Sequence, residues 1–327
     1  MERILKDSRV LVTGGAGFIG SNLVDSFLQS GNSVVCLDNF STGKRKNIEG
    51  FLENPKFKLI EGDIRNYNDC LKAVENIDIV FHQAALGSVP RSIKDPITTT
   101  DVNIGGFVKV LFAAKESGIK RFIYAASSST YGDHPDLPKV EDKIGSPLSP
   151  YAITKYVDEL YAANFAKSYG IDVIGLRYFN VFGRRQDPDG AYAAVIPLFV
   201  KMLMKHEVPH INGDGSVSRD FTYIDNVVQA NHCAGVVQNK EALNQVYNVA
   251  YGERTSLNQL FYFIRMLASE FDKSIQSIEP VYGPVRAGDI PHSLASIEKA
   301  KKLLYYLPAF NVEAGLREAV KWYWKNL

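Results

Sequence analysis

Short apolar runs rich in valine and isoleucine recur along the first 180 residues, with little polar alternation inside them. They occupy residues 10–12, 34–37, 57–60, 77–81, 122–125 and 173–176. Strands that are buried on both faces of a parallel sheet have this pattern. Helix-like segments separate the runs, and three of these segments end at a glycine, Gly31, Gly118 or Gly170, that suits the position after a helix. The alternation predicts right-handed β–α–β crossovers and a doubly wound, parallel Rossmann sheet in the α/β class.

The alternation becomes irregular after about residue 180, where glycine, proline and arginine are frequent and a helix-like stretch covers 192–205. We expect residues 1–180 to form a nucleotide-binding Rossmann domain and residues 181–327 to form mainly a smaller α/β substrate-binding domain. The run QVYNVA, at 245–250, is expected to return to the large sheet as part of a segment near 220–250. Arg184 and Arg185 are expected in a solvated loop.

The composition is that of an ordinary globular protein, with 46% hydrophobic and 22% charged residues among 327. The net charge of +1 gives no indication of a nucleic-acid or membrane partner. Three cysteines and six scattered histidines favour neither a disulfide framework nor a metal site. No apolar run approaches the ~20 residues of a membrane span, and the polar start does not resemble a signal peptide. The sequence therefore predicts a cytoplasmic protein that binds a small molecule.

The first apolar run leads directly into the glycine-rich stretch VLVTGGAGFIG, with Gly14, Gly17 and Gly20 at three-residue spacing. Glycines at such a strand-to-helix turn allow a tight bend and close approach of the backbone to a pyrophosphate. The free N–H groups at the start of the following helix then face the phosphates. The motif predicts a dinucleotide site.

Asp38 closes the second apolar run, 18 residues after Gly20. A carboxylate at this place accepts hydrogen bonds from an adenosine ribose and repels a 2′-phosphate, so NAD is favoured over NADP. Lys44 and Arg45 lie close by and could serve a phosphate, which leaves NADP open at this point. Asp63 follows the third run and could meet the adenine edge, while FHQAA ends the fourth run, where backbone can line the cofactor.

The stretch SPLSPYAITKY places Tyr151 and Lys155 one helical turn apart, with Ser149 as the N-cap and Pro150 as the first helical residue. A tyrosine hydroxyl has a pKa of roughly 10 in water and is a poor base at neutral pH. A neighbouring ammonium and a positively charged nicotinamide both favour the phenolate, so the pair can act as a general base for an alcohol. The alternative is a surface Tyr and Lys on an amphipathic helix.

The order of these motifs resembles that of the extended short-chain dehydrogenase/reductase family over almost the whole chain. The matching stretches are TGGAGFIG, LDNF, GDI, HQAA, SSSTYG, SPYAITK and LRYFNVFG. Within the family, the chain is most similar to the UDP-hexose 4-epimerases. The runs AALGSVPRSIKDP and FGRRQDPDGAYAAVIP favour the branch that acts on UDP-N-acetylglucosamine and UDP-N-acetylgalactosamine.

By this resemblance, Ser127 is the hydroxyl that meets both the sugar O4 and the catalytic Tyr151. Related dehydratases carry Asp and then Glu at the next two positions, and related decarboxylases carry a Glu at the second. This chain has Ser128 and Ser129 there. Elimination of water needs an acid and a base, which hydroxyls replace poorly. The stretch therefore favours oxidation and re-reduction at C4. The 4-keto sugar formed between these two steps rotates in the pocket and presents its other face.

The resemblance also implies a set of binding residues. The NAD-binding set is Gly14, Gly17, Phe18, Ile19, Asp38, Asn39, Ser41, Thr42, Gly43, Asp63, Ile64, Gln83, Ala84, Ala85, Asn103, Tyr151, Lys155 and Tyr178. The UDP-sugar set is Gly87, Ser88, Arg91, Ser127, Ser128, Ser129, Asn180, Ala194, Val195, Asn212, Arg219, Arg286, Asp289 and Ser293. Arginine suits the two phosphates of UDP. Relatives restricted to UDP-glucose and UDP-galactose carry a bulky tyrosine at the position that matches Ser293. A serine at this position leaves room for a 2-acetamido group.

The resemblance further implies a homodimer that pairs the helices near 101–117 and 151–169. Four alternatives stay open. UDP-N-acetylglucosaminuronate or UDP-glucose could be the epimerised sugar. A dehydratase or decarboxylase is disfavoured by Ser128 and Ser129. An NAD-bound sensor without catalysis would be expected to lack the Tyr151 and Lys155 pair.

Overall fold

The structure is a computed structural model that describes residues 3–189, 194–285 and 291–327. The strands of these parts are β1 Arg9–Thr13, β2 Ser33–Asp38, β3 Phe57–Glu61, β4 Ile79–His82, β5 Arg121–Ser127, β6 Asp172–Tyr178, β7 Val181–Phe182, β8 His210–Asn212, β9 Ser218–Arg219, β10 Thr222–Tyr223, β11 Gln245–Val249, β12 Thr255–Ser256 and β13 Val281–Gly283. The α-helices are α1 Phe18–Gln29, α2 Tyr67–Ala73, α3 Val89–Lys94, α4 Pro96–Thr100, α5 Phe107–Glu116, α6 Pro150–Tyr169, α7 Val195–Met204, α8 Ile224–Val236, α9 Leu257–Ser269, α10 Glu298–Leu304 and α11 Val312–Asn326.

The central sheet has seven parallel strands in the order β11-β6-β5-β4-β1-β2-β3. Each of the six apolar runs forms one of these strands, and the predicted doubly wound α/β fold is confirmed. Valine and isoleucine fill the strands because helices cover both faces of the sheet. The strand β11 pairs with β6 from Gln245 opposite Ile174 to Val249 opposite Tyr178. The chain therefore re-enters the large sheet after leaving it at β6.

Two buried apolar clusters lie on the two faces of the sheet. One contains Phe27 of α1 and Val227 of α8, and the other contains Val110 of α5 and Phe165 of α6. The order of the strands reverses between β1 and β4, because the chain builds outward from β1 in one direction and then in the other. Ligands of doubly wound sheets bind at the carboxyl ends of the strands beside such a reversal.

The C-terminal part contains helices α7, α9 and α11, which contact one another, and three two-stranded pairs, β10-β7, β12-β9 and β13-β8. Phe199 of α7 and Phe261 of α9 pack edge to face at 6.1 Å. The helix predicted over 192–205 is observed as Val195–Met204, and its first residues lie outside the described parts. The division of the chain at residue 180 stays a prediction. Within the described residues, the helices are too short or too polar for a bilayer crossing.

Candidate active site

A cavity of about 490 Å³ opens at the carboxyl ends of β1, β2, β4 and β5, beside the strand-order reversal. It brings together most of the residues that the sequence predicts for the cofactor. The predicted residues along its wall are Gly14, Gly17, Phe18, Ile19, Asp38, Asn39, Ser41, Thr42, Asp63, Ile64, Gln83, Ala84, Ala85, Gly87, Ser127, Ser128, Tyr151, Lys155, Tyr178 and Asn180.

The glycine turn between β1 and α1 packs against the loop that follows β4. Gly14 has a φ of +67°, and a Cβ there would lie 2.8 Å from both Cα and N of Ala84. A Cβ on Gly20 would lie 2.0 Å from the Gly14 carbonyl oxygen. Helix α1 starts after Gly17, which offers no capping side chain, so the first N–H groups of the helix are left for a ligand. This turn is a ready cradle for a phosphate.

Asp38 stands at the end of β2 and is nearly buried, with 7% of its surface exposed. Its two carboxylate oxygens accept hydrogen bonds from the Ala16 N–H at 2.9 Å and from the Phe40 N–H at 2.8 Å. Burial raises the pKa of Asp38, while these two N–H groups oppose the rise. Because each carboxylate oxygen has a second lone pair, the group can still accept bonds from ribose hydroxyls.

The cations beside Asp38 are engaged with other acids. Lys44 Nζ lies 2.6 Å from Asp187 Oδ2, and Arg45 Nη2 lies 2.5 Å from Glu61 Oε2. Both ion pairs are exposed and weak, so the preference for NAD over NADP rests on the Asp38 carboxylate, which repels a 2′-phosphate.

The carboxylate of Asp63 supplies a second negative charge on the cavity wall. Asp63 accepts from Asn39 Nδ2 at 2.9 Å, and the Arg65 guanidinium lowers the pKa of this carboxyl to about 2. Asp63 is therefore an acceptor at physiological pH.

Gln83 follows β4 and has an amide nitrogen, Nε2, that is buried without a hydrogen-bond partner among the described residues. Its carbonyl oxygen accepts from the Tyr178 hydroxyl at 3.3 Å, and that hydroxyl accepts from Asn231 Nδ2 at 2.9 Å. A buried, unpaired amide donor costs about 1–3 kcal/mol. Since Gln83 lines the cavity, a ligand with an acceptor at this place removes that cost.

Helix α6 carries the predicted base. Ser149 caps it by accepting from the Ala152 N–H, Pro150 is its first residue, and Tyr151 and Lys155 both line the cavity. Lys155 is only 3% exposed, and its ammonium donates to the Ala125 carbonyl at 2.9 Å and to Asp158 Oδ2 at 3.3 Å. An ammonium has three N–H donors, so one is left for a ligand in the cavity.

Ser127 ends β5 at the cavity, and its Oγ accepts from both the N–H of Ser129 at 3.2 Å and the Oγ of Ser129 at 2.9 Å. A hydroxyl has two acceptor lone pairs and one donor hydrogen. With both lone pairs used, Ser127 can only donate, which is what a neighbouring phenolate or alkoxide oxygen needs. Ser128 lines the cavity beside it, whereas Ser129 does not.

Asn103 lies behind the wall in a π-helical segment, Asp101–Gly106, that precedes α5. Its side chain accepts from the Leu86 N–H at 2.8 Å and donates to Thr154 Oγ1 at 3.0 Å. Asn103 therefore joins the loop after β4 to helix α6. It stabilises the wall of the cavity but does not itself line the cavity. Gly43 also stands behind the wall, where a Cβ would lie 2.9 Å from the Asp38 carboxylate oxygens.

The substrate-side residues connect to the cavity through Asp220, whose side chain is fully buried. Asn180 Nδ2, at the cavity, donates to the Asp220 carbonyl at 3.1 Å. The Asp220 carboxylate accepts from the N–H of Ala295 at 3.1 Å. Beside it, Arg219 Nη1 donates to the Pro291 carbonyl at 3.3 Å, and the Ser293 N–H donates to the Ser218 carbonyl at 3.0 Å. Arg219 and Ser293 therefore lie in one hydrogen-bonded region next to Asn180.

Other predicted substrate residues are spread over the substrate side. Ser88 caps α3 by accepting from the Arg91 N–H, Asn212 ends β8, and Ala194 and Val195 begin α7. Arg286 and Asp289 lie outside the described residues. Among the described residues, the predicted ones that do not line the cavity are Gly43, Ser88, Arg91, Asn103, Ser129, Ala194, Val195, Asn212, Arg219 and Ser293.

The cavity also has lining residues that sequence reasoning missed: Leu37, Gly62, Leu86, Val102, Ala125, Ala126, Val181 and Gln186. Several of them adjoin predicted positions at strand ends. The end of each apolar run in the sequence therefore indicates residues that line the cavity. Gln186 had none, because its loop reaches the cavity only through the tertiary fold.

The expectation of a solvated loop at Arg184 and Arg185 is wrong. Arg184 Nη1 lies 2.6 Å from Asp225 Oδ1, and Arg185 Nη2 lies 2.7 Å from Asp25 Oδ2. Both pairs are partly buried and tie this loop to α8 and α1. Over the described ranges, the structure gathers no group of three or more metal-binding side chains.

Comparison with known proteins gives the family. Residues 10–250 match the model of the NAD dependent epimerase/dehydratase family, and the chain belongs to that family. The solved UDP-N-acetylglucosamine 4-epimerase of Methanobrevibacter ruminantium M1, in complex with UDP-N-acetylmuramic acid, is 39% identical with a TM-score of 0.91. The match covers 99% of this chain and 100% of that one.

Two further relatives carry a different sugar in their names. The solved UDP-glucose 4-epimerase of Thermotoga maritima, with UDP-glucose, is 37% identical with a TM-score of 0.88, over 97% of this chain and 99% of that one. The UDP-glucose 4-epimerase of Mycolicibacterium smegmatis is 35% identical over 317 residues, which are 96% of this chain and 98% of the relative.

The cofactor of this family is NAD, and the cavity fits it. The glycine cradle and the open start of α1 suit a pyrophosphate, the Asp38 carboxylate suits a ribose, and the unpaired Gln83 amide lacks only an acceptor. Lys155 has a spare N–H beside them.

Gly14→Ala is expected to weaken NAD binding by at least about ten-fold, since a cost of about 1.4 kcal/mol suffices for that factor. The added methyl group would overlap the Ala84 backbone and displace the cradle. The matched control is Gly118→Ala, at a φ of +70° with open space around it. Both variants carry the same backbone strain, so only Gly14→Ala should lose affinity in calorimetric titration with NAD. Equal losses in the two variants would contradict the cradle.

Proposed function

We propose that this chain is an NAD-dependent isomerase that inverts C4 of UDP-N-acetylglucosamine and UDP-N-acetylgalactosamine through a transient 4-keto sugar. The observation that carries the reaction type is the pairing of Tyr151 and Lys155 with the donor hydroxyl of Ser127 on one cavity wall. The names of the similar structures, one acetylated and one plain hexose 4-epimerase, support the same reaction.

The acids of the cavity argue against elimination. Among the described lining residues, the carboxylates are Asp38 and Asp63, at the ends of β2 and β3. The reacting end, near Ser127, presents the hydroxyl of Ser128 where a dehydratase needs an acid. This supports an epimerase over a dehydratase or a decarboxylase. A sensor without catalysis would be expected to lack the pair of Tyr151 and Lys155, and both line this cavity.

The residues of the chain account for the proton transfers. Tyr151, as phenolate, takes the proton of the sugar 4-hydroxyl, and Ser127 donates a hydrogen bond to the oxygen that carries negative charge. Lys155 holds the ribose and keeps positive charge near the phenolate. NAD held by the glycine cradle, Asp38 and Lys155 would supply the hydride acceptor for C4 and the hydride donor for its reduction. The keto sugar rotates before this reduction, so Tyr151 then acts as the acid and protonates O4 of the inverted sugar.

Ser293 supports the acetylated substrate. It belongs to the hydrogen-bonded region of Arg219 and Asp220 that adjoins Asn180. By the family resemblance, a small side chain at Ser293 leaves space for a 2-acetamido group, which a tyrosine would fill. The solved UDP-N-acetylglucosamine 4-epimerase, at 39% identity, supports an acetylated sugar, while the UDP-glucose 4-epimerase, at 37%, keeps UDP-glucose as the alternative.

The test is proton NMR of the purified protein with UDP-N-acetylglucosamine, UDP-glucose or UDP-N-acetylglucosaminuronate in separate tubes. We expect a galacto-type anomeric signal to grow fastest with the first sugar. Faster conversion of UDP-glucose would show that Ser293 does not select an acetylated sugar. Faster conversion of the uronate would make UDP-N-acetylglucosaminuronate the substrate of the same C4 epimerisation. A 4-keto-6-deoxy product would overturn the epimerase.

A homodimer is part of the proposal. Exposed apolar side chains cluster on neighbouring helices of one face: Ile93 of α3, Ile97 of α4, and Ile153 and Leu160 of α6. The last two are seven residues apart and share one side of α6. Such a patch on a globular protein marks an interaction surface. Light scattering should give the mass of two chains, and the mass of one would contradict the dimer.

A further inference from the structure

Behind the Lys155 ammonium stands a fully buried acid that the proposed mechanism does not use. Asp158 is 0% exposed, and its Oδ2 lies 3.3 Å from Lys155 Nζ. Tyr151, Lys155 and Asp158 follow one another at i, i+4 and i+7 on α6, so they form one stripe along the helix. An acid on a helix is ordinarily solvated, and this one is placed in the core behind the base.

Asp158 has no structural task that its contacts reveal. In the described parts of the chain, its Oδ1 has no hydrogen-bond partner, and its Oδ2 contacts Lys155 only. It does not line the cavity, so it reaches neither sugar nor cofactor. A buried carboxylate that is left half satisfied costs stability. Its one interaction is therefore with the charge that supports Tyr151.

Few other ionisable groups surround this pair. Glu159, the next residue of α6, is bonded to Arg177 of β6, and Tyr124 of β5 lies near both acids. His82 of β4 lies near Lys155, and burial lowers the pKa of His82 to about 3, so the imidazole is neutral near pH 7. Near neutral pH, the local balance of charge at Lys155 is therefore set by Asp158.

We propose that Asp158 is a positioning residue that balances the Lys155 ammonium and thereby sets the pH range in which Tyr151 serves as the base. The inference rests on the proposed function, since it assigns a task within the same reaction. As a carboxylate, Asp158 cancels much of the positive charge that stabilises the phenolate. When Asp158 is protonated and neutral, the full positive charge of Lys155 stabilises the Tyr151 phenolate.

The sign of the effect follows from the burial of Asp158. Burial raises the pKa of Asp158 to about 7, against the opposing influence of Lys155. When the pH falls through that value, the carboxyl takes up a proton, the Lys155 charge becomes uncompensated, and the Tyr151 phenolate is favoured. The two groups are coupled, so the acid limb of the pH–rate profile is broadened. The enzyme retains its base at lower pH than a permanently ionised acid would allow.

Asp158→Asn removes the negative charge and preserves the size of the side chain. We expect the acid limb of kcat/KM for UDP-N-acetylglucosamine to become steeper, because its part above about pH 7, where Asp158 is ionised, moves to lower pH by up to about one unit, given about 10 Å along the helix axis and an effective dielectric constant of about 20. Asp158→Leu, which also removes the hydrogen bond, should shift the limb in the same direction. Asp142→Asn is the charge control, since the Asp142 side chain is 94% exposed, and it should leave the limb in place.

A second readout does not depend on turnover. The chain has 17 tyrosines, so the near-ultraviolet tyrosinate absorbance of one residue is obtained by subtracting the titration of Tyr151→Phe from that of its parent. The difference curve should show tyrosinate at lower pH in the Asp158→Asn background than in the natural protein. If UDP-N-acetylglucosamine is not a substrate, this titration still tests the task of Asp158, so the two proposals fail separately.

A merely structural Asp158 would give a different result. The rate would fall by the same factor at every pH, the tyrosinate difference curve would stay in place, and thermal unfolding would show a destabilised variant. The proposal would be overturned if Asp158→Asn and Asp158→Leu both fold and their acid limbs or tyrosinate difference curves stay in place or move to higher pH.

Discussion

Replacing Tyr151 with phenylalanine is expected to lower turnover of the UDP-hexose about 10²- to 10⁴-fold, the range that a positioned general acid–base contributes. Phenylalanine keeps the ring on the cavity wall and removes the only atom that can exchange a proton with O4 in the proposed mechanism. The variant should retain its NAD affinity and its unfolding temperature, because the cradle at Gly14 and the N-cap at Ser149 are untouched.

The matched control for this experiment is Tyr156→Phe, on the same helix, outside the lining residues of the cavity. It loses the same hydroxyl type and should keep its turnover. Activity of Tyr151→Phe within three-fold of the natural protein, about 0.6 kcal/mol in barrier, would remove Tyr151 from the mechanism.

Glu159→Ala is expected to destabilise the fold by about 3–5 kcal/mol, because it leaves a buried guanidinium without its carboxylate. Arg177 binds Glu159 through two hydrogen bonds of 2.8 and 2.7 Å, and the side chains are only 3% and 7% exposed. The same guanidinium donates to the Glu141 carbonyl at 3.0 Å and lies over the Tyr131 ring. The pair therefore joins α6, β6 and the turn that follows Ser127.

Urea unfolding of Glu159→Ala measures this loss directly. The control is Glu270→Ala, which breaks an exposed pair with Arg317 and should change the unfolding free energy little. Replacing Glu159 and Arg177 together by methionine should recover much of the stability, since no buried charge is then left uncompensated. A loss below about 1 kcal/mol in Glu159→Ala would contradict the account of a buried, bidentate pair.

The large sheet was predictable because each of its early strands is buried on both faces and reads as an uninterrupted apolar run. The same holds for the base, since i and i+4 spacing on a helix fixes that Tyr151 and Lys155 share a face. Both are local patterns, and the structure reproduces them in the parts that it describes.

The features that sequence reasoning did not find depend on contacts between distant segments. Arg184 and Arg185 read as a solvated loop, yet their partners are Asp225 and Asp25, on helices 41 and 160 residues away. The sequence gives no signal that Asp158 is buried, because its burial depends on elements that are distant in the chain. In both cases, the element that packs against the charged side chain decides whether that side chain is solvated or buried.

The measurement that tests the central claim most directly is conversion of UDP-N-acetylglucosamine in D₂O, followed by NMR of the product. If C4 is oxidised and reduced while the sugar stays in the cavity, the C4 hydrogen leaves and returns as hydride, and the galacto-type product should carry no deuterium on carbon. Deuterium at C5, together with a 4-keto-6-deoxy sugar, would show elimination of water. That result would contradict an epimerase whose reacting end is built from Ser127, Tyr151 and Lys155.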